Sequence, residues 1–305
     1  RDLVVAGAAR RDLYEHAFAA VERDALLRDD DGGVGFLPAG VARALVVGLA
    51  EQHVGGAVDD PFRRQPLLVL LAQCAAAPAA DNLTKAETDQ GTLKGWPSGV
   101  REITYLSRAD HTDQPALFFA PATDRPKPLL VALHSWSADY RQTSQAPMAK
   151  WCIEQGWVFI HPNFRGPNKR PEATGSELAV QDILSAVAYA KRVAQVDSSR
   201  VYLVGGSGGG YAALLMAGRA PEVWAAVSAW VPITDLKAWY FESVRKKRKY
   251  ADDIVKSVGG IPDDGTPAEA ECRKRSVLTH LARANDLPLD INAALCLIRQ
   301  LVPAV

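Results

Sequence analysis

Methionine is almost missing from the 305 residues: there are two, and the first is Met148. The chain opens at Arg1 without an ordinary initiator, so it is expected to be a fragment or an imperfect reading frame. Cysteine is scarce as well. Cys74, Cys152, Cys272 and Cys296 form no CxxC pair, and no His/Cys cluster has the spacing of a structural zinc site, so neither metal nor cofactor is expected. Net charge is absent, since 35 Lys+Arg balance 35 Asp+Glu. That excludes a generally basic nucleic-acid binder, and 48% hydrophobic residues exclude a disordered chain. What remains is an ordinary globular composition, long enough for one large or two medium domains without disulfides or metals.

Residues 1–60 show helical spacing in Leu13, Ala17, Ala20 and Val21 and again in Val41, Leu45, Val46 and Leu49. Between them Asp29-Asp30-Asp31-Gly32-Gly33 lacks the alternating oxygen ligands and distant Glu of a calcium loop, and reads as a solvated linker. Over 61–80 a basic start (Arg63-Arg64), the apolar Pro66–Ala72 and the small residues Ala75 to Ala80 have the layout of a secretory signal. The apolar part is too short to cross a hydrocarbon layer of roughly 30 Å, so no membrane span is expected. Two readings stay open. Either 61–80 is a signal, giving a secreted or periplasmic protein that begins near Ala80 or Asp81, or it is a short core helix of a cytoplasmic one.

From Gly99 the pattern changes. Arg101 to Ser107 and Ala116 to Ala120 flank the turn Asp110-His111-Thr112-Asp113 as a hairpin. Leu129 to Leu133, Trp157 to His161, Arg200 to Val204 and Trp224 to Val231 are apolar runs of the kind buried on both faces. Between them Glu177 to Ala194 has one apolar face and Ser176 placed as its cap. Strands alternating with helices predict an α/β domain over 81–305: a mostly parallel sheet with helices on both faces.

The run Val201 to Val204 leads straight into Gly205-Gly206-Ser207-Gly208-Gly209-Gly210, and an apolar helical run from Tyr211 follows. This is G-x-S-x-G between a buried strand and a helix, the setting in which a serine is held on a sharp turn as a nucleophile. The alternative, a phosphate-binding glycine loop, lacks a following Gly-Lys-Ser/Thr. Ser207 is therefore the candidate nucleophile, with Gly205 and Gly209 shaping its turn. The strand Leu129 to Leu133 ends in His134-Ser135-Trp136, where the second oxyanion donor belongs, so Trp136 N–H and Gly208 N–H form the candidate oxyanion hole. His134 is either a base or a group that orders this loop by hydrogen bonding.

With Asn163-Phe164-Arg165-Gly166, Ala179-Val180-Gln181-Asp182-Ile183, Asp197 to Arg200, Arg219-Ala220-Pro221 and Trp230 to Leu236 added, the chain resembles the α/β-hydrolase fold and, within it, the prolyl-oligopeptidase-like serine hydrolases, over about Pro128 to Ala293. The resemblance implies hydrolysis through an acyl-enzyme, a Ser, Asp, His order, and a small peptide or ester as substrate, with no nucleic acid or membrane as partner. The pattern then breaks. Pro288 to Ala293 resembles the strand before the acid, yet no Asp or Glu follows Asp290, and only His280 lies beyond Ser207, in the stretch Ser276 to Ala284 expected to be helical. The triad Asp and His therefore stay unassigned. The C-terminal part is expected to be truncated and the 305-residue chain nearly inactive, its alternative being a non-catalytic relic that at most binds a ligand. The run Arg245-Lys246-Lys247-Arg248-Lys249 reads as the solvated face of a helical insertion covering the site, against a nucleic-acid patch. Cys152 and Cys272 could pair only if their Cα atoms lie within roughly 4.4–6.8 Å.

Overall fold

All but the first residue of β3 (Lys127–Leu133) are buried, as is every residue of β4 (Val158–Pro162). Strands this apolar need cover on two sides. The computed structural model describes residues 93–292, and β3 sits in the middle of its seven-stranded sheet. The remaining strands are β1 (Arg101–Leu106), β2 (Asp113–Phe119), β5 (Val196–Gly206), β6 (Ala226–Trp230) and β7 (Leu289–Asn292). Their order is β1-β2-β4-β3-β5-β6-β7. The hairpin β1–β2 and the pair β2–β4 are antiparallel, and every pairing from β4 to β7 is parallel.

Alternate side chains of each strand go to opposite faces. Leu129, Val131, Leu133, Val201 and Leu203 join a large core with α2 (Glu177–Val193) and α3 (Gly208–Arg219), while Leu130, Ala132, Tyr202 and Val204 join a second core with α1 (Ala146–Gln155). Helices thus cover both faces, as the alternation of elements predicts. The β6–β7 connection adds α4 (Leu236–Arg245), α5 (Tyr250–Val258) and α6 (Pro267–Arg275), packed into the large core through Leu236, Trp239, Ile254 and Cys272. In α2 the Ser176 hydroxyl accepts from Ala179 N–H at 3.1 Å, and the helix ends one residue before Ala194, which caps it.

Several expectations need correction. Ser276 to Ala284 is two short 3₁₀ turns, Val277–Thr279 and Leu281–Ala284, because local hydroxyls take the backbone groups a helix would need. Ser276 Oγ donates to Cys272 O, and Thr279 Oγ1 donates to Arg273 O. The strand expected over Trp224 to Val231 is shorter at both ends. Trp224 turns its indole N–H to Met216 O at 3.3 Å, and Val231 leaves the strand at φ 48°. Only Arg245 of the basic run belongs to a helix. Lys246 to Lys249 form an exposed turn with Lys247 at φ 53°, and Lys246 and Arg245 both face Glu242. Cys152 and Cys272 are free thiols in the two separate cores, on opposite faces of the sheet, so they do not pair. The helices read into 1–60, the signal-like segment 61–80, and Cys74 and Cys296 lie outside the described residues.

At the start of β5, Asp197 accepts from Ser199 Oγ at 2.6 Å, Arg200 Nε at 2.7 Å and Ser199 N–H at 2.9 Å. These bonds to the charged form lower its carboxyl from 3.8 to about 2. A carboxyl depressed in the folded state contributes stability that is present above 3.8 and lost as pH falls towards 2. The gap in urea midpoint between wild type and Asp197→Asn should therefore be constant above pH 5 and close on acidification to about pH 2. A gap that widens in acid would contradict this linkage.

Candidate active site

β5 delivers Ser207 to the surface at φ 55°, ψ −118°, a conformation that costs about 1–3 kcal/mol for a residue with a side chain. Two bonds hold it there. Ser207 N–H donates to Trp230 O at 2.8 Å, and Ser207 O accepts from Tyr211 N–H at 2.9 Å. The turn closes only because its neighbours lack side chains: a Cβ on Gly205 would overlap Gly209 O, and one on Gly209 would overlap Leu133 O. Ser207 is exposed amid buried neighbours, its hydroxyl makes no cap bond, and no hydrogen bond among the described residues engages its Oγ.

Gly208 is the first residue of α3, where an N–H has no intrahelical acceptor and the dipole is positive. A Cβ on Gly208 would overlap Trp136 N and Cα and lie 2.8 Å from Trp136 Cβ. The backbones of Gly208 and Trp136 are thus in direct apposition. Neither N–H has an acceptor among the described residues.

The 135–136 peptide is fixed through its carbonyl. Ser135 O accepts from Ala138 N–H at 3.3 Å and lies 2.9 Å from His134 Nδ1. His134 Nε2 lies 2.8 Å from Asn163 O, and the ring stacks on Phe164 at 4.0 Å. Burial pushes His134 below 6.5, so the neutral ring donates to one of the two carbonyls at a time. His134 orders the loop and is not placed as a base. Trp136 O accepts from Asn168 N–H at 2.8 Å. The Trp136 ring packs against Trp239 of α4 at 4.6 Å and Tyr250 of α5 at 6.4 Å, and its indole N–H donates to Asp253 Oδ2 at 3.2 Å. Sequence reasoning missed Asp253, which is 117 residues from Trp136.

The remaining histidines are elsewhere. His161 Nδ1 bonds Ala132 O at 2.6 Å inside the second core's edge, and burial lowers it to about 3. His280 Nε2 lies 2.8 Å from Lys274 O, and its backbone sits against Gly218. Gly218 is about 16 Å from Ser207 along α3 at roughly 1.5 Å per residue. His111 is in the exposed turn of the first hairpin. No hydrogen bond joins any of these to Ser207 among the described residues, and His16 and His53 lie outside them. Asp290 is held inside β7, accepting from Ser228 Oγ at 2.8 Å and Asn292 Nδ2 at 2.9 Å. β7 runs parallel to β6, where Trp230 pairs with Asn292 and also takes the Ser207 N–H, so the chain leaves β7 one strand beyond the elbow's own support. The described residues contain no metal-holding group of His, Cys, Asp and Glu and no helix long and apolar enough to cross a membrane.

Residues 143–284 match the model of the prolyl oligopeptidase family. Acylamino-acid-releasing enzyme 1 of Oryza sativa subsp. japonica is 26% identical over 149 residues, covering 43% of this chain and 19% of that protein. A puromycin hydrolase structure is similar in fold at TM-score 0.51 and 18% identity, over 67% of this chain and 32% of its own. Oligopeptidase B from Leishmania major is similar at TM-score 0.51 and 13% identity, over 64% and 32%. The chain thus spans about a fifth of the rice relative and about a third of either structure. With a mostly parallel sheet covered on both faces and a serine on the turn between β5 and α3, the described domain has the α/β-hydrolase fold, and over residues 143–284 it is similar to the prolyl oligopeptidase family.

Proposed function

We propose that this chain is a serine hydrolase that cleaves a peptide or ester bond through an acyl-enzyme on Ser207. One observation carries the reading: an exposed serine, kept in a strained conformation, where the backbones of Gly208 and Trp136 meet with neither N–H given an acceptor among the described residues. Ser207 Oγ attacks the substrate carbonyl carbon as its proton leaves, and the carbonyl oxygen becomes an oxyanion. Trp136 N–H and Gly208 N–H donate to that oxyanion, aided by the positive end of α3. Collapse expels the amine or alcohol with a proton, and water then hydrolyses the acyl-enzyme. The base that takes the Oγ proton is not assigned among the described residues. Peptidase and esterase share this machinery. The rice relative is named for releasing acylamino acids, so a short blocked peptide and a simple ester are the two substrates to try.

The test is chemical mapping. After reaction with a fluorophosphonate probe, trypsin should release an adduct on the peptide 201–219, in which Ser207 is the one serine. A probe mass found elsewhere, or on no peptide, would overturn the assignment.

A further inference from the structure

Among the described residues the β6–β7 insertion reaches the oxyanion loop through one polar contact, and nothing in the reaction as described uses it. Asp253 sits in the first turn of α5 and accepts from the Trp136 indole N–H at 3.2 Å. Its position on the helix is itself fixed, since Asp253 N–H donates to Lys249 O at 3.2 Å and Asp253 O accepts from Ser257 Oγ at 2.8 Å. Trp239 and Tyr250 stack on each other at 4.8 Å and present their edges or faces to the Trp136 ring. Trp136 is 2% exposed. The ring is therefore located by α4, α5 and Tyr211 of α3, which lies 6.0 Å from it, and not by its own loop.

From these contacts we infer that Asp253 is a positioning residue that sets the oxyanion hole through the Trp136 side chain. This rests on the Ser207 reading above. Gly208 is walled by Trp136 N, Cα and Cβ together, so the separation of the two N–H groups follows wherever the Trp136 Cβ goes. The carbonyl side of the 135–136 peptide is held by His134 and Ala138. Its amide side continues into Cα and Cβ, which are anchored by Asn168 N–H on Trp136 O at 2.8 Å and by the ring. Edge-to-face contacts with Trp239 and Tyr250 and a tilted contact with Tyr211 at 6.0 Å are non-directional enough to let the ring shift, and a hydrogen bond at its far edge limits that shift. Donor geometry must be kept within about 0.5 Å to be effective, and a misplacement of about 1 Å lowers rates by up to about 10²-fold.

Three variants of the full chain test this: Asp253→Leu, which keeps volume without an acceptor, Asp253→Asn, which keeps an acceptor oxygen, and Trp136→Phe, which keeps the backbone and removes the donor. The second-order rate of fluorophosphonate labelling at Ser207 is expected to fall about tenfold in Asp253→Leu and in Trp136→Phe and to stay within about twofold of wild type in Asp253→Asn. In ¹⁵N-tryptophan spectra, which carry seven indole signals, the one lost in Trp136→Phe should be protected from solvent exchange in wild type and Asn, and unprotected in Leu. A folded Leu variant that labels at the wild-type rate overturns the inference. If Leu does not fold, Trp136→Phe takes its place, and a wild-type labelling rate there overturns the inference equally. If wild type forms no adduct, the nucleophile reading fails by itself. The Trp136 backbone amide then decides: a shift in Leu but not in Asn supports the positioning role, and a shift in neither overturns it.

Discussion

Replacing Ser207 by alanine is expected to end fluorophosphonate labelling and to remove the Ser207-dependent share of p-nitrophenyl acetate hydrolysis. The two oxyanion donors survive this change, because both are backbone N–H groups held by contacts outside the Ser207 side chain. Any residual rate therefore measures the hole alone, without covalent chemistry. Ser207→Gly should lose the same activity and gain stability. The φ 55°, ψ −118° backbone carries roughly 1–3 kcal/mol of strain when a Cβ is present. Glycine gives back roughly 0.5–1 kcal/mol of that through its larger unfolded-state entropy, leaving a net rise of about 1 kcal/mol. Urea unfolding of the two variants checks it. Equal stability of Ala and Gly would mean that the strain at Ser207 is no larger than the roughly 0.5–1 kcal/mol that glycine gives back, and labelling that persists in Ala would place the nucleophile elsewhere.

The elbow was legible because every requirement it imposes falls on neighbouring residues. A buried strand, a left-handed serine and close approach by Gly209 leave a local pattern of apolar residues and glycines. The same holds for β3, β4 and α2, whose periodicity and cap are set within one element. The place of Trp136 against the elbow was legible too, since it follows a buried strand directly. What holds Trp136 was not. Asp253 and Trp239 meet it from an insertion more than a hundred residues away, and no spacing rule connects them. Ser276 to Ala284 failed for the opposite reason: its helical composition was real, but Ser276 and Thr279 hydroxyls competed for the backbone.

Arg165→Leu is expected to destabilise the domain by about 3–5 kcal/mol, the penalty for leaving a buried charge without its partner. Arg165 follows Phe164 in two successive left-handed residues, φ 31° and 77°, which turn its guanidinium inward. There Nε and Nη2 donate to the two oxygens of Asp182 at 2.7 and 3.1 Å, while Nη1 and Nη2 donate to those of Asp110 at 2.8 and 2.9 Å. The Asp182 side chain has no solvent exposure, whereas that of Asp110 is 29% exposed. The cost of losing Arg165 therefore falls on Asp182, which belongs to α2 and cannot reach water. Burial already pushes the Asp182 carboxyl up, and Arg165 opposes that push. In the variant burial and the Asp110 charge push it up with only the Ser107 hydroxyl opposing them, so the carboxyl takes a proton at higher pH than before. An acid with a raised folded-state value contributes stability below that value and loses it as pH rises. The deficit of Arg165→Leu should thus shrink on acidification. Arg165→Leu combined with Asp182→Leu should recover most of the loss, since apolar replacement of a whole buried pair is often neutral. The effect extends to the site. Asn163 O, which faces His134 Nε2, lies in the same turn, closed by Gly166 N–H on Asn163 O at 2.7 Å. Loosening that turn releases one side of His134 and, through Ser135 O, the peptide that presents Trp136 N–H. Ser207 labelling in the single variant should fall even at temperatures where the domain stays folded, and recover in the double variant. A double variant no more stable than the single one would show that Arg165 contributes through packing of its stem rather than by neutralising Asp182.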